Sequence, residues 1–313
     1  MSNCSYNLTE GVEKAYLTIT IPTFIFGLLG NMAFLIALCF KGKKALSYMM
    51  IYIGNMTLAD GIILFTLPFR MYFLRKTWAF DMESCLVVVS SSFVNMYVSI
   101  YTATAICVVR YIAIKYPFRA REIMSPRKAV VVCVLIWLIV CSLSALFHKV
   151  DALPANSTKF KCFQQLGNKP LPLSFILVLD ILGFLLPLLC MTFCSIKVVR
   201  CLSKSVKGDS GNEKTQCIRI IITNLIVFIV SFAPFHFGFL LKYIVQTVSP
   251  QNCNLLESVH NFVHISFAIS HTNCCLDIFT YYFFIKASAC ACCMAQDLRR
   301  KLNSSTISVH RRC

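Results

Sequence analysis

A charged side chain at the centre of a bilayer costs on the order of 3 kcal/mol or more unless it meets a partner, water or a ligand. Six charges inside long apolar runs of this chain are therefore where its chemistry is sought: Asp60, Arg70, Arg110, Asp180, Lys242 and Asp277. Arg70 follows Leu67-Pro68-Phe69, where proline opens the backbone one or two turns from the end of its run. Lys242 and His236 share a later run, and Phe93, Met96, Tyr97, Phe239 and Phe267 supply apolar and aromatic surface between them. A cationic rim over an apolar cavity suits an amphipathic anion. The competing reading of Arg70 is an arginine that snorkels to the head groups. Asp60 and Asp277, with Asn31, Ser99 and Asn273, can form one buried polar cluster, which either joins helices or stabilises one packing of them through a cation. His260, His264 and His271 lie in the last run without a nearby acid on their face, and are read as structural or ligand-lining rather than metal-ligating.

The elements that must position these groups are membrane helices. The chain is 58% hydrophobic and 14% charged, with a mean hydropathy of +0.71. That excludes an ordinary soluble protein of 313 residues. Seven apolar runs are long enough to span, at 15–40, 47–74, 83–114, 129–147, 171–196, 217–245 and 255–285. The third begins near Cys85 and has no charge until Arg110, a helix of about 40 Å that exceeds the roughly 30 Å hydrocarbon core. Twenty lysines and arginines fall in the first, third and fifth gaps and the tail, against seven on the opposite side. The positive-inside rule therefore puts the N-terminus outside and the tail in the cytoplasm. The net charge of +17 is thereby topology, not a nucleic-acid footprint, and no nucleic-acid partner is expected. The sequons at Asn3, Asn7 and Asn156 all fall outside, whereas the one at Asn55 lies within a span and is a chance match.

These signals give an all-α membrane protein: a seven-transmembrane helix bundle (15–285) between an extracellular glycosylated N-terminus (1–14) and a cytoplasmic segment (286–313). That last segment carries a short amphipathic helix after the seventh span. No leader is read before the first run, which acts as its own insertion signal. Of eighteen cysteines, Cys4, Cys85, Cys162 and Cys253 face the oxidising side, which allows three connectivities. Cys290, Cys292 and Cys293, ahead of Arg299-Arg300-Lys301, suit reversible palmitoylation of an interfacial helix lying on membrane lipids. The loop with Gly208-Asp209-Ser210-Gly211-Asn212 reads as turn. The hydroxyl-rich tail, 303–308, is suited to phosphorylation. A retinal pump needs a lysine in the seventh span and none lies between 255 and 285; a transporter usually shows paired broken helices in two halves, and no such repeat is visible. No catalytic constellation is present, so an enzyme is not expected.

Several motifs, each in its proper span, resemble the rhodopsin-like class A G-protein-coupled receptors along essentially the whole chain: Gly30-Asn31, Leu58-Ala59-Asp60, Arg110-Tyr111, Trp137, Pro187, Phe232-Ala233-Pro234-Phe235, and Asn273 through Asp277 to Tyr281. Within that class Ser125-Pro126-Arg127-Lys128, Phe193-Cys194-Ser195 and Tyr281-Tyr282 are similar to the lysophospholipid and purinergic branch, in the subgroup of G-protein coupled receptors 35 and 55. The resemblance implies a multi-pass plasma-membrane receptor for an anionic ligand, either a lysophospholipid-like lipid or a small organic acid. A peptide or protein ligand and a seven-span transporter are the alternatives. Arg70, Phe93, Met96, Tyr97, Asp180, His236, Phe239, Lys242, His264 and Phe267 are the expected ligand residues. The resemblance pairs Cys85 with Cys162, leaving Cys4 with Cys253. It also implies no cofactor beyond an allosteric sodium ion at Asp60, Ser99 and Asn273. Arg110, Tyr111 and Tyr281 would meet a heterotrimeric G protein, of the G12/13 or Gi families, when agonist moves the sixth helix outward. This chain departs from the class at Val109, where an acid is expected before Arg110, and at Lys214, which is basic where a carboxylate could clasp that arginine. Raised basal signalling is the expectation.

Overall fold

Long apolar runs give their backbone no water to bond, so they close their hydrogen bonds internally as helices. The computed structural model describes residues 8–41, 47–74, 76–150, 162, 172–204 and 211–277. Among these every regular element is helical: α1 (Glu10–Lys41), α2 (Tyr48–Tyr72), α3 (Met82–Lys115), α4 (Pro117–Ile123), α5 (Pro126–Val150), α6 (Leu173–Asp180), a π-helical turn (Ile181–Leu185), α7 (Leu186–Lys204), α8 (Gly211–Val248) and α9 (Cys253–His271). With α6, the π turn and α7 forming one rod, six helices are long and apolar enough to cross a membrane. The polar side chains of α9 (Asn254, Glu257, His260, Asn261, His264 and His271) make it less apolar, and helix resumes over 273–277 after a turn at Thr272. The remainder of the expected seventh span, with the amphipathic helix, Tyr281 and the palmitoylation cysteines, lies outside the described residues. So do Cys4, Asn3, Asn7 and Asn156.

Hydropathy under-reads several helix ends: α7 runs to Lys204 rather than 196, α5 covers Pro126–Val150 rather than 129–147, and two starts come early. α1 starts at Glu10, inside the segment expected to be the N-terminal tail. The Thr9 hydroxyl accepts from Val12 N, Glu10 and Glu13 occupy the positively polarised first turn, and Glu10 pairs with Lys14 at 2.8 Å. α8 starts at Gly211 rather than 217, so Gly211 and Asn212 belong to helix rather than turn. Caps fix other starts: Ser47 Oγ accepts from Met50 N, Ser125 Oγ from Lys128 N and Asn252 Oδ1 from Leu255 N.

The membrane inverts the usual sorting. Leucines, isoleucines and phenylalanines such as Phe26, Leu29, Phe65 and Leu189 face outward, while the interior collects Asn31, Asn55, Asp60, Asn95 and Asp277. Interior polar groups tie helices together. Asn55 Nδ2 donates to Thr102 Oγ1 at 2.8 Å and its Oδ1 accepts from Trp137 Nε1 at 2.8 Å, so one amide joins α2, α3 and α5 and is no glycan acceptor. Asn31 Nδ2 donates to Gly27 O and Cys274 O. Gly27 permits that approach, since a Cβ there would stand 2.9 Å from Leu64 Cδ2 and 3.0 Å from Cys274 Sγ.

The π turn has a cause in the sequence. Pro187 has no N–H and its ring crowds the preceding turn, so the backbone ahead of it widens. One carbonyl released there, that of Leu182, accepts from Tyr101 Oη at 3.0 Å. Gly183 in the same turn lets the Tyr97 ring pack flush, for a Cβ would lie 2.6 Å from Tyr97 Cε1. At one end of the bundle Cys85 and Cys162 form a disulfide, packed beneath Phe73, Trp78, Val88 and Val89. Cys253 is also disulfide-bonded.

Candidate functional site

Arg70, in the last turn of α2, is 5% exposed. Its Nη1 donates to Ser92 Oγ at 2.8 Å, its guanidinium stands 4.4 Å from the centre of the Phe267 ring, and Tyr16 of α1 is a further neighbour. Opposite it α9 carries His260, His264, Phe267 and His271, whose spacings of four, three and four place them on one face. The rings of His260 and His264 lie 4.6 Å apart, and those of Phe267 and His271 4.8 Å. His264 is within electrostatic range of His260, Arg70 and Lys242, and His271 of Arg70. Lys242, on α8, is only 8% exposed and also acts on His260. Five basic groups therefore converge between α2, α8 and α9 near the disulfide end.

Two expectations change in the fold. His236 does not accompany Arg70 and Lys242: its Nδ1 lies 3.0 Å from Asp180 Oδ1 on α6, its ring stacks on Phe184 at 4.8 Å, and it meets Tyr97 edge-on at 5.9 Å. The reason is angular, since six residues along α8 turn His236 far from the face of Lys242. The apolar residues expected to wall an open cavity instead meet one another. Phe93 contacts Phe267 at 5.3 Å and Phe235 at 6.1 Å, Phe235 contacts Phe267 at 5.1 Å, and Phe239 stacks on Phe235 at 5.5 Å. Met96 is buried in the same central core. Sequence reasoning missed Phe235 and Ser92, although Ser92, Asn95 and Ser99 form a stripe at three- and four-residue spacing that hydropathy alone hides.

Below this layer the polar cluster expected around Asp60 is present in altered form. Asp60 Oδ1 accepts from Asn95 Nδ2 at 3.2 Å, an unanticipated partner, and Asn273 Nδ2 donates to Asp277 Oδ2 at 2.8 Å. The two carboxylates are close enough to repel. Ser99 Oγ is buried with no hydrogen-bond partner among the described residues, where also no three His, Cys, Asp or Glu side chains converge as a metal-binding group. A cavity of about 40 Å³ runs from Ser99, Asn273 and Asp277 past Phe232 to Cys107 and Arg110. The thiols of Cys107 and Cys217 are neighbours of Arg110. Tyr111 accepts from Lys115 Nζ at 2.9 Å and meets Phe193 of α7 at 6.0 Å. Around them Val198, Leu202 and Ile221 bury one another, closing α8 onto α7 at the Arg110 end.

A bundle of this kind with a buried acid on α2, a terminal arginine on α3 and prolines within the fifth and sixth spans has known counterparts. The sequence matches the family described as 7 transmembrane receptor (rhodopsin family) over residues 30–281. The chain belongs to that family. This receptor is 33% identical to G-protein coupled receptor 55 of Mus musculus, across 91% of the chain and 90% of the relative. It is 34% identical to G-protein coupled receptor 35 of Homo sapiens, across 87% and 83%, and 32% identical to lysophosphatidic acid receptor 6 of Mus musculus, across 83% and 77%. It is thus a multi-pass plasma-membrane receptor that works through G proteins, and its relatives are receptors rather than enzymes.

Proposed function

We propose that this receptor binds an extracellular amphipathic anion at the Arg70 cluster and passes the change to a heterotrimeric G protein at Arg110. The observation that carries the reading is the convergence of Arg70, Lys242, His260, His264 and His271 against the Phe93, Phe235 and Phe267 rings. Holding the Arg70 guanidinium and the Lys242 ammonium in a low-dielectric interior is costly, and a carboxylate or phosphate offsets that cost, most directly through the fork of the arginine, with the imidazoles as hydrogen-bonding neighbours. An apolar chain or ring on the same molecule then parts the three phenylalanines and takes their place. Relatives named for lysophosphatidic acid favour a lipid phosphate, and the small apolar layer equally suits an aromatic or aliphatic acid.

In this reading the N-terminus and the disulfide end face outward, as the distribution of lysines and arginines requires, with glycans at Asn3, Asn7 and Asn156. Ligand entry at the phenylalanine layer displaces Phe235, which shares α8 with Phe232, and biases α8 against its contact with Val198 and Leu202. Opening that contact exposes Arg110, Tyr111 and Tyr281 to a G protein of the G12/13 or Gi class. Linkage requires that the bound G protein tighten ligand binding in return. Asp60, Asp277, Ser99 and Asn273 present hard oxygen donors, including a buried hydroxyl with no partner among the described residues, and this set fits a sodium ion. When bound, the ion supplies a positive charge between two repelling carboxylates. The tail hydroxyls recruit arrestin once phosphorylated, and Cys290, Cys292 and Cys293 carry palmitate.

The test is G-protein activation in cells expressing the full chain, screened with lysophosphatidic acid, other lysophospholipids and organic acids, alongside Arg70→Gln at equal surface expression. Losing a charge-assisted bond of about 1.5–3 kcal/mol moves potency roughly 10- to 150-fold. A dose response retained in Arg70→Gln refutes the anion site.

A further inference from the structure

A second polar site sits across the phenylalanine layer from the cationic cluster. Asp180 on α6, His236 on α8 and Tyr97 on α3 have exposures of 8%, 4% and 8%. Asp180 Oδ1 and His236 Nδ1 satisfy each other at 3.0 Å. Each residue nevertheless keeps an atom with no hydrogen-bond partner among the described residues: Asp180 Oδ2, His236 Nε2 and Tyr97 Oη. The three groups are neighbours, since Tyr97 meets the imidazole edge-on and lies within electrostatic range of Asp180. Phe184 stacked on the imidazole and Gly183 beneath the phenol fix both rings, so the groups cannot turn away to find solvent. Buried polar atoms in native structures are nearly always bonded. Three together, on three different helices, are a site built for a polar group that comes with something else.

We propose that Asp180, His236 and Tyr97 form a subsite for a hydrogen-bond donor on the ligand, a hydroxyl or an amine, so that this receptor selects bipolar molecules: an acid at one end and a donor at the other. The proposal rests on the anion reading of Arg70 and adds to it the second half of the ligand. The distance code is set by the rings between the two sites. Arg70 lies on Phe267, Phe267 on Phe235, and Phe235 on His236 at 5.5 Å. The ligand's apolar middle spans that three-ring layer. The Asp180 carboxylate accepts from the donor, and the Tyr97 phenol and the second imidazole nitrogen complete its bonding. An acid without the donor still reaches Arg70, but it seats carbon against three polar atoms and loses their bonds. An acid with the donor bridges α6 and α8, which couples the fifth and sixth spans directly to occupancy.

The experiment uses the full-length receptor purified into lipid nanodiscs and the same chain in cells, with ω-hydroxy and ω-amino alkanoates of roughly eight to fourteen carbons set against unsubstituted alkanoates of equal length. Melting temperature reports binding without requiring agonism, and G-protein activation reports efficacy. At one chain length the ω-hydroxy and ω-amino acids are expected to bind about tenfold or more tightly than the alkanoate. Asp180→Ala removes that ratio and leaves the alkanoate unchanged. If Asp180→Ala fails to reach the surface, Asp180→Asn decides: it keeps an acceptor oxygen but loses the charge, so it lowers both ratios towards one, that of the cationic amine most. Ratios near one at every length, ratios unchanged in the Asp180 variants, or no rise in melting temperature with any probe each overturn the proposal. Failure of the underlying anion reading looks different. There Arg70→Gln leaves alkanoate binding intact, while the dependence of the ω-hydroxy ratio on Asp180 is still read.

Discussion

The contact that holds α8 closed at the Arg110 end is apolar, and its strength can be worked from its atoms. Ile221 packs against Val198 and Leu202, with Tyr111, Ile114 and Ile218 around them. Replacing Ile221 by Ala deletes three carbons, worth about 2–3 kcal/mol if opening exposes them to water and the closed state keeps a cavity. If opening instead turns the side chain into lipid, the transfer part vanishes because lipid tails are as apolar as the core. Only lost packing remains, about 1 kcal/mol. Ile221 faces the Arg110 cavity, which in the proposed activation becomes a wet crevice, so the larger figure applies. An effect of about 2 kcal/mol shifts the closed-to-open ratio roughly 30-fold. Ligand-free nucleotide exchange by a purified G protein, with the receptor in nanodiscs at matched concentration, is the assay. Ile221→Ala should raise the basal rate, while Ile226→Ala, on the exposed face of the same helix, should leave it unchanged. A basal rate equal to or below wild type for Ile221→Ala, with a normal melting temperature, refutes the latch.

Val109→Asp restores an acid beside Arg110 and is expected to lower ligand-free signalling severalfold at equal surface expression; no change shows that Val109 does not set the basal rate. Asn55→Ala strips partners from Thr102 and Trp137 and should cost about 2–4 kcal/mol, read as a lower melting temperature. The glycosidase mobility shift should stay as in wild type, and a reduced shift would mean that Asn55 carries sugar after all. Gly183→Ala drives a methyl into the Tyr97 ring and should destabilise by about 1–3 kcal/mol; an unchanged melting temperature would show that Tyr97 moves aside freely.

What the sequence discloses and what it withholds divide along a physical line. Spans are legible because lipid demands continuous apolar surface, and the charges worth attention are legible because lipid penalises them, which is how Asp60, Arg70, Asp180 and Asp277 stand out. Helix ends are less so, since a hydropathy run measures bilayer thickness while a helix continues as long as its caps and charges allow. Glu10, Glu13 and Thr9 extend α1 without adding hydrophobicity, and nothing between 211 and 217 forces α8 to stop. The π turn is half legible: Pro187 is visible, but the phenol that donates to the released Leu182 carbonyl, Tyr101, lies on another helix.

Partnerships between helices are the least legible, because they depend on how each rod is rotated. His236 and Lys242 sit six residues apart, and their cationic character suggested one anion site. Rotation about α8 sends one to Arg70 and the other to Asp180, fifty-six residues away. That separation turns one expected cationic rim into two chemically distinct sites across the Phe93, Phe235 and Phe267 layer. On the proposed reading it also gives α8 a grip on the ligand at both ends. Phe235, His236, Phe239 and Lys242 all lie within eight consecutive residues of it, whereas α6 and α9 each touch only one of the two sites. In the proposed reading a ligand that bridges them acts chiefly on the helix whose opposite end is held by Ile221, and one continuous helix, with Pro234 between the two ends, links occupancy at the disulfide end to the latch beside Arg110.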